Sequence, residues 1–189
     1  MIRRFGESVK NDISYTRRPG VYALLPIRQN LLLTHQNAPE PEFQLPGGGM
    51  DPDEHPIIAL HREVMEETGW IIDKPKRIGA FRRFVFMPEY DLWAEKLCTV
   101  YFAYPVLRRG APTEEGHSDF ILPAKLALEL VENPGDRYFI SNFIRCIYFI
   151  ECCHFSALAS HTNTEERIMP EASPWKSHRE QWSSWRYHW

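Results

Sequence analysis

The chain has 189 residues, of which 43% are hydrophobic and 25% are charged, and its formal net charge is −3. This length allows one core of ordinary size but hardly two full domains. The composition is typical of a globular protein, and the weakly negative charge gives no general attraction to nucleic acid or to an anionic membrane.

The ends of the chain and its cysteines favour a cytoplasmic protein. Residues 1–18 are charged and polar, without the apolar segment of a signal peptide. The most apolar late run, 143–155, is broken by Arg145 and Glu151 and is too short to span a bilayer. The four cysteines lack C-x-x-C spacing, so we expect reduced thiols.

Taken in chain order, the first elements are two strands. They are predicted over 21–27 and 31–36, on either side of the turn-prone residues 28–30. The following loop ends in 46–49, a proline and three glycines, where regular structure is not expected. A helix is then predicted from about Pro56 to Thr68, because proline is tolerated in a first turn and Gly69 suits the left-handed position after the last one.

This predicted helix carries two kinds of side chain. One side bears the apolar residues that are expected to enter the core: Ile57, Leu60, Val64 and Met65. Another side bears Glu63, Glu66 and Glu67, spaced i, i+3 and i+4. Three like charges repel one another, and Arg62 alone cannot offset them. A divalent cation such as Mg²⁺, which prefers oxygen ligands, can do so, and the helix is therefore predicted to hold a metal against an anionic substrate.

Four further elements are predicted: strands over 77–86 and 97–107 and helices over 123–132 and 137–155. The intervening segments 87–95 and 108–119 are predicted as loops. The stretch 160–189 holds four of the six tryptophans without a clear period. A base-stacking platform and an arm packed on the body or on a partner remain open there, and we favour a tail without a catalytic role.

The glutamate-bearing helix also has a familiar context. The chain resembles the Nudix box at every defined position. The match consists of Gly48, five further residues, Glu54, seven further residues and then the run 62–70 (REVMEETGW). Seven fixed identities have a chance of about one in 10⁸ per starting position at typical residue usage. The resemblance covers the box closely and extends loosely from about Pro19 to Phe143.

The resemblance implies an α/β (α+β) fold, a Nudix-type α/β/α sandwich with a mixed central sheet. We expect a Nudix hydrolase domain over 1–145, with its core at about 19–143. Residues 146–189 would then form a C-terminal helical or irregular extension that is not an independent domain.

The resemblance further implies hydrolysis of a nucleoside diphosphate linked to another group, with Mg²⁺ or Mn²⁺. Such ions neutralise the phosphate oxygens that repel a nucleophile and activate water near neutral pH. We favour a nucleoside triphosphate, ordinary or oxidised, as the substrate; ADP-ribose or a dinucleoside polyphosphate is the alternative. An alternative of another class is a nucleotide sensor without catalysis. No membrane or clear nucleic-acid partner is expected, and a homodimer remains open.

Residue roles follow from the match to the box. Glu63 and Glu67 are implied as the leading metal ligands, with Glu66 as a direct or water-mediated one. Arg62 completes the catalytic set by orienting a glutamate, and the backbone carbonyl of Gly47 is implied as a further ligand. The remaining box positions are expected to be structural: Gly48, Gly69 and Glu54, the last of these pairing with Arg62.

A distal acidic residue usually completes such a site. Glu115 is the first candidate and Glu114 the second, and exposed loop charges are an equal alternative for both. His117 could serve as a base, but a surface histidine is the favoured interpretation. Contacts with the substrate are expected from four residues: His35, Gln36, Arg82 and Tyr90.

Overall fold

The structure, a computed structural model, describes residues 2–38 and 40–159, and it describes the side chains of all of these except residues 89 and 148–159. The chain divides into two compact units, Met1–Ile144 and Arg145–Trp189. All contacts given below lie within the first unit. The expected hydrolase domain and extension remain predictions, and the tryptophan-rich stretch 160–189 lies outside the described residues.

Eight strands, three α-helices and one short 3₁₀ helix (Pro88–Tyr90) form within the described residues. The strands are β1 (Arg3–Gly6), β2 (Thr16–Ile27), β3 (Asn30–Gln36), β4 (Glu42–Gln44), β5 (Gly47–Gly49), β6 (Trp70–Met87), β7 (Leu92–Arg108) and β8 (His117–Pro123). The helices are α1 (Pro56–Thr68), α2 (Ala124–Leu130) and α3 (Pro134–Ala159). As far as the chain is described, none of these helices combines the length and apolarity that a membrane span requires.

The strands form one mixed sheet in the order β1-β6-β7-β2-β3-β4, with β5 also paired to β2 and β8 to β3. β1 runs parallel to β6, and β2 runs parallel to β7. The long strand β2 pairs with β5 through residues 20–22 and with β3 through residues 25–27. This one strand therefore fixes both the glycine strand β5 and the β3–β8 pair relative to the rest of the sheet.

Helix α1 has the predicted boundaries. At its start, Nδ1 of His55 accepts a hydrogen bond from the amide of Ile57 at 3.2 Å, and Pro56 opens the first turn. At its end, Gly69 has a φ of 72°, and its N–H donates to the carbonyl of Met65 at 2.8 Å. This left-handed backbone is cheap only for glycine, so the glycine ends the helix as the sequence predicts.

Helices cover both faces of the sheet. α1 packs on one face in a cluster of buried residues: Val21, Ala23, Leu25, Leu32, Ala59, Leu60, Val64, Ile72, Tyr101 and Ala103. Successive residues of a strand point to opposite faces. Tyr101 belongs to the cluster under α1, whereas the ring centre of Phe102 lies 6.5 Å from that of Phe143 in α3. The predicted α/β class with a mixed central sheet between helices is confirmed.

One expected core residue of α1 does not enter the core. Met65 is half-buried and lies beside Ile58 and Ile71 on a shallow apolar surface, while Ala59 is buried under the helix. The reason is that the buried side of α1 also includes Glu63 and Glu67. The carboxylate side and the apolar side of α1 are therefore adjacent, and together they make up the buried part of the helix surface. Met65 lies outside that part.

The sequence also missed four strands. Gly47–Gly49, predicted to be irregular, pairs with residues 20–22 of β2. The first three residues of β8 lie in the segment predicted as a loop, and the strand pairs with β3 over seven residues. β4 lies in the predicted loop before the glycines and also pairs with β3, and the sequence does not predict β1. Long-range pairing partners stabilise all four strands, and local composition carries little trace of them.

Candidate functional site

The last two turns of α1 bring carboxylates into a nearly buried environment. Glu63 is 8% exposed and Glu67 is 3% exposed, whereas Glu66 is only half-buried. Burial raises the pKa of Glu63, and the hydrogen bond from Arg62 opposes that effect only in part. Burial also raises the pKa of Glu67 well above its usual range, against the amide of Gly47 that favours its ionised form. The fold thus holds carboxylates together where an added cation would stabilise their charges.

Arg62 joins three of the surrounding carboxylates. Its Nε and Nη2 donate to the two oxygens of Glu54 at 3.0 and 2.9 Å, which is a bidentate pair. Its Nη1 donates to Glu63 at 2.7 Å and to Glu66 at 3.1 Å, and Nη2 also reaches the carbonyl of Gly49 at 3.2 Å. The Arg62 hydrogen bonds and the amide of Asp51 lower the pKa of Glu54 to about 2. The predicted contact between Glu54 and Arg62 is present, and Arg62 orients glutamates from one side of the cluster.

Strand β5 lies too close to its neighbours, β2 at one position and α1 at another, for side chains at its first two residues. The N–H of Gly47 donates to Oε2 of Glu67 at 2.8 Å. Gly47 has a φ of 138°, and a Cβ there would collide with the backbone of Val21. A Cβ at Gly48 would fall on the carboxylate of Glu63, whereas one at Gly49 would meet nothing within 4 Å. Gly47 therefore lets β5 pair closely with β2, and Gly48 leaves the space that the Glu63 carboxylate occupies.

Main-chain hydrogen bonds bring a fourth carboxylate to the helix. The amides of Thr113 and Glu114 both donate to the carbonyl of Glu66, at 2.8 and 3.0 Å. This attachment places the Glu114 carboxylate among those of α1. The sequence favours Glu115 over Glu114 as the distal carboxylate. In the structure both glutamates are exposed, but Glu115 is in neither of the candidate metal-binding groups of the described residues, while Glu114 is in both.

His117, expected at the surface, is instead enclosed beside the same cluster. Its side chain is only 11% exposed. Nε2 lies 3.6 Å from Oε1 of Glu67, and Nδ1 lies 3.8 Å from Oε1 of Glu114. The reason for the difference is β8, whose first residue is His117 and whose pairing with Gln36 of β3 carries the ring inward. The sequence predicts a loop over 108–119, and a loop carries no alternating pattern that indicates which side chains turn inward.

The sequence also missed an aspartate that fastens β8. Asp119 accepts hydrogen bonds from Nη2 and Nε of Arg108 at 2.8 and 3.1 Å, and from the indole N–H of Trp70 at 3.4 Å. Arg108 ends β7 and Trp70 begins β6 directly after α1. These contacts fix the strand that carries His117 relative to the end of the carboxylate helix.

The carboxylates and the histidine form two groups whose ligand atoms lie within 4.8 Å of one another. One group is Glu63, Glu66 and Glu114, and the other is Glu67, Glu114 and His117. Three observations fit divalent cations in these positions: the oxygen-rich donor set, the space that Gly48 leaves beside Glu63, and the buried Nδ1 of His117, which has no hydrogen-bond partner within the described residues. The carbonyl of Gly47 remains a predicted ligand.

The four residues expected to contact substrate fall into two places. His35 and Gln36 lie on β3 opposite Ser118 and His117 of β8, next to the cluster. The ring centre of His35 is 4.6 Å from that of Phe43, and Gln36 accepts a hydrogen bond from Gln44 at 3.0 Å.

Arg82 and Tyr90 lie on the β6–β7 hairpin instead. Nη1 of Arg82 is 3.2 Å from Oε1 of Glu95 on the neighbouring strand. Tyr90 is exposed, and the guanidinium of Arg18 stacks 4.7 Å from its ring centre. The substrate roles of all four residues remain predictions.

A buried acid at the start of α3 was not foreseen. Oδ2 of Asp136 accepts a hydrogen bond from the amide of Leu45 at 3.2 Å, while Oδ1 is buried without a hydrogen-bond partner in the described residues. Burial raises the pKa of Asp136 to about 7, although the Leu45 amide favours the charged form. In the sequence this aspartate follows Asn133-Pro134-Gly135 and resembles an ordinary first-turn residue.

A mixed sheet lies between helices, and in each group ligand atoms of one helix and of the segment around β8 come within 4.8 Å of one another, a donor set that suits a metal-dependent enzyme. Residues 16–143 match the NUDIX domain family, so the chain belongs to the Nudix hydrolases. Members of this family act on nucleotide substrates and typically depend on divalent metal.

Individual relatives agree with this assignment. A Bacillus subtilis protein named "Putative 8-oxo-dGTP diphosphatase" is 35% identical over 119 residues, which is 63% of this chain and 74% of that protein. The MutT protein of Methanosarcina mazei is 24% identical, with a TM-score of 0.56 over 71% of this chain and 97% of that one.

A third relative comes from Shewanella oneidensis. The NUDIX domain of its NrtR protein, solved in complex with ADP ribose, is 17% identical. It has a TM-score of 0.57 over 71% of this chain and 90% of that one. At such identities, the likeness to the two solved structures establishes the fold alone.

Proposed function

We propose that the protein is a Mg²⁺-dependent pyrophosphohydrolase of nucleoside triphosphates, in ordinary or oxidised form. The observation that carries this proposal is the convergence of Glu63, Glu66 and Glu67 with Glu114 into two groups that share the Glu114 carboxylate. A polyphosphate substrate brings several negative oxygens, and a protein with a net charge of −3 needs a local source of positive charge to hold them.

The chain's own residues would have separate tasks in this reaction. Glu63, Glu66, Glu67 and Glu114 would hold the cations, with the carbonyl of Gly47 as a further ligand. When bound, divalent cations neutralise phosphate oxygens and lower the pKa of coordinated water. Arg62 would keep Glu63 and Glu66 in position through its two hydrogen bonds, and the amide of Gly47 would fix Glu67.

The choice of a nucleoside triphosphate rests on the Bacillus subtilis relative. The name of that protein refers to 8-oxo-dGTP, an oxidised nucleoside triphosphate, and this chain covers 74% of its length at 35% identity. The NrtR domain bound to ADP ribose supports the alternative substrate less strongly, since its 17% identity concerns the fold. A sensor without catalysis is disfavoured because every box glutamate is present, and Glu63, Glu66 and Glu67 lie in the cluster.

A substrate panel tests the proposal. The purified full-length protein is incubated with Mg²⁺ and, separately, with dGTP, 8-oxo-dGTP, the other nucleoside triphosphates, ADP-ribose and a dinucleoside tetraphosphate. We expect nucleoside monophosphate and pyrophosphate from at least one triphosphate at a higher kcat/KM than any product from the other classes. A preference for ADP-ribose would replace the proposed substrate. Nucleotide binding without turnover of any substrate would replace the enzyme with the sensor.

A further inference from the structure

The environment of His117 points to a role that the carboxylates do not fill. The ring is enclosed between Glu67 of α1 and Glu114 of the loop before β8, with 11% of its side chain exposed. Its two nitrogens lie 3.6 and 3.8 Å from carboxylate oxygens of these residues, beyond ordinary hydrogen-bond length. Nδ1 is buried and has no hydrogen-bond partner within the described residues. Buried polar atoms are rarely left without a partner, so the partner of this nitrogen comes from outside the described residues.

The cluster offers two neighbouring positions with different donors. The group of Glu63, Glu66 and Glu114 presents oxygen atoms only, whereas the group of Glu67, Glu114 and His117 presents oxygen and imidazole nitrogen. Mg²⁺ favours oxygen ligands and near-ideal octahedral geometry. Imidazole nitrogen suits first-row transition metals such as Fe²⁺, Ni²⁺, Cu²⁺ and Zn²⁺, whereas Mn²⁺ binds oxygen ligands as well and is the weakest binder of that series. The two positions therefore differ in the cation that each would prefer.

We propose that His117 is a nitrogen ligand that gives the position beside Glu67 a preference for a first-row transition-metal ion over Mg²⁺, with Mn²⁺ as the paramagnetic probe of that position. The proposal rests on the proposed function, since it concerns the same site. It specifies which cation each of the two groups of ligands would take. Glu114 is shared by both groups, so the two ions would be held by a common carboxylate.

The surroundings of His117 keep the ring in place for this role. Its backbone pairs with Gln36 in the β3–β8 ladder, and the next residue but one in β8 is Asp119, held by Arg108 and Trp70. On the opposite side Glu67 is fixed by the amide of Gly47 at 2.8 Å. Ligands on such fixed elements can select a metal by donor type and geometry.

Pulsed electron paramagnetic resonance of Mn²⁺ bound to the full-length protein, without nucleotide, tests the ligand directly. We expect ¹⁴N modulation from a directly bound imidazole, replaced by ¹⁵N modulation when the histidines are ¹⁵N-labelled. The modulation should be lost in His117→Gln and kept in His61→Gln, a histidine on α1 that lies beside Ile57 and Ile58 rather than in the cluster. Absence of nitrogen modulation in the unsubstituted protein would overturn the proposal, whether or not the variant folds.

Titrations with each metal alone provide a second readout. In His117→Gln the affinity for Mn²⁺ at one position should fall by about tenfold or more, while the affinity for Mg²⁺ changes by less than about threefold. Equal losses for the two metals would overturn the proposal and make His117 a positioning residue for Glu67 and Glu114. Neither measurement depends on turnover, so a failure of the proposed substrate class would be seen separately in the substrate panel.

Discussion

The main-chain N–H of Gly47 donates a hydrogen bond of 2.8 Å to Oε2 of Glu67, and this bond joins the glycine strand to the end of the carboxylate helix. Both residues are buried. One oxygen of Glu67 is thereby held by a backbone group, while the other, Oε1, faces His117. A substitution can therefore remove the charge of Glu67 and still keep the hydrogen bond from Gly47 that positions its side chain.

Glu67→Gln should lower turnover by a factor of at least about 10² while the fold is kept. The glutamine carbonyl can still accept from Gly47, so the packing survives, but the negative charge that would hold a cation is gone. The kcat on the best nucleoside triphosphate is measured at saturating Mg²⁺, together with the thermal unfolding temperature. A loss of less than tenfold in a folded variant would remove Glu67 from the ligand set.

The adjacent glutamates of the loop before β8 form a matched pair. Glu114→Gln should reduce kcat at least about tenfold and weaken metal binding, because its carboxylate is shared by both groups of the cluster. Glu115→Gln, one residue further along and exposed, should leave both quantities within about twofold. Steady-state kinetics and a Mg²⁺ titration measure the two variants side by side. The opposite ranking would restore Glu115 as the distal ligand.

Two glycines of β5 provide a second matched pair. Gly48→Ala places a methyl group on the carboxylate of Glu63 and should displace it, lowering kcat at least about tenfold and weakening Mg²⁺ binding. Gly49→Ala adds the same group where nothing lies within 4 Å, so its activity should stay within about twofold. Activity and metal affinity are compared in variants shown to be folded by circular dichroism. Equal behaviour of the two would mean that Glu63 tolerates displacement.

Asp136 should make the free energy of unfolding depend on pH. Its pKa is raised from 3.8 to about 7 by burial in the folded protein, so between these values the folded state holds a proton that the unfolded chain has released. The contribution of Asp136 to the free energy of unfolding is therefore fully present below about pH 4, and it is lost as the pH rises towards 7. Asp136→Asn cannot ionise, and its carbonyl can keep the bond from Leu45.

Urea unfolding of Asp136→Asn and of the unsubstituted protein at pH 4, 5.5 and 7.5 measures this effect. The variant should gain stability relative to the unsubstituted protein as the pH rises, on the order of 3 kcal/mol across the window. Glu63 and Glu67 titrate in both proteins, so the difference between the two curves isolates Asp136. A difference that stays constant with pH would show that Asp136 is ionised in the folded state.

The sequence predicts those parts of the fold that local physics controls. Pro56 and Gly69 bracket α1 because a first turn tolerates proline and a left-handed end requires glycine, and the observed helix has these ends. The box glutamates could be found because their spacing on one helix side is visible along the chain. The burial of Glu63 and Glu67 cannot be predicted in this way, because it depends on which side of α1 packs against the sheet.

The parts that were missed depend on distant partners. Strand β5 consists of three glycines and exists through its pairing with residues 20–22. The choice between Glu114 and Glu115 is made by two amides that reach the carbonyl of Glu66, and adjacent glutamates look alike in a sequence. His117 is enclosed because β8 pairs with β3, a strand more than 80 positions earlier in the chain.

The attachment of the loop before β8 has a consequence for how the sequence of this loop can vary. The loop is held to α1 through the amides of Arg109, Thr113 and Glu114, which donate to the carbonyls of Gly69 and Glu66. Every amino acid except proline supplies such an amide. Substitutions in this stretch should therefore be widely tolerated except at Glu114, whose carboxylate belongs to both groups of the cluster. Loss of one residue between Arg109 and Glu114 would rotate that carboxylate away from the helix. The spacing of this segment and Glu114 itself, rather than the composition of its other positions, would be inherited.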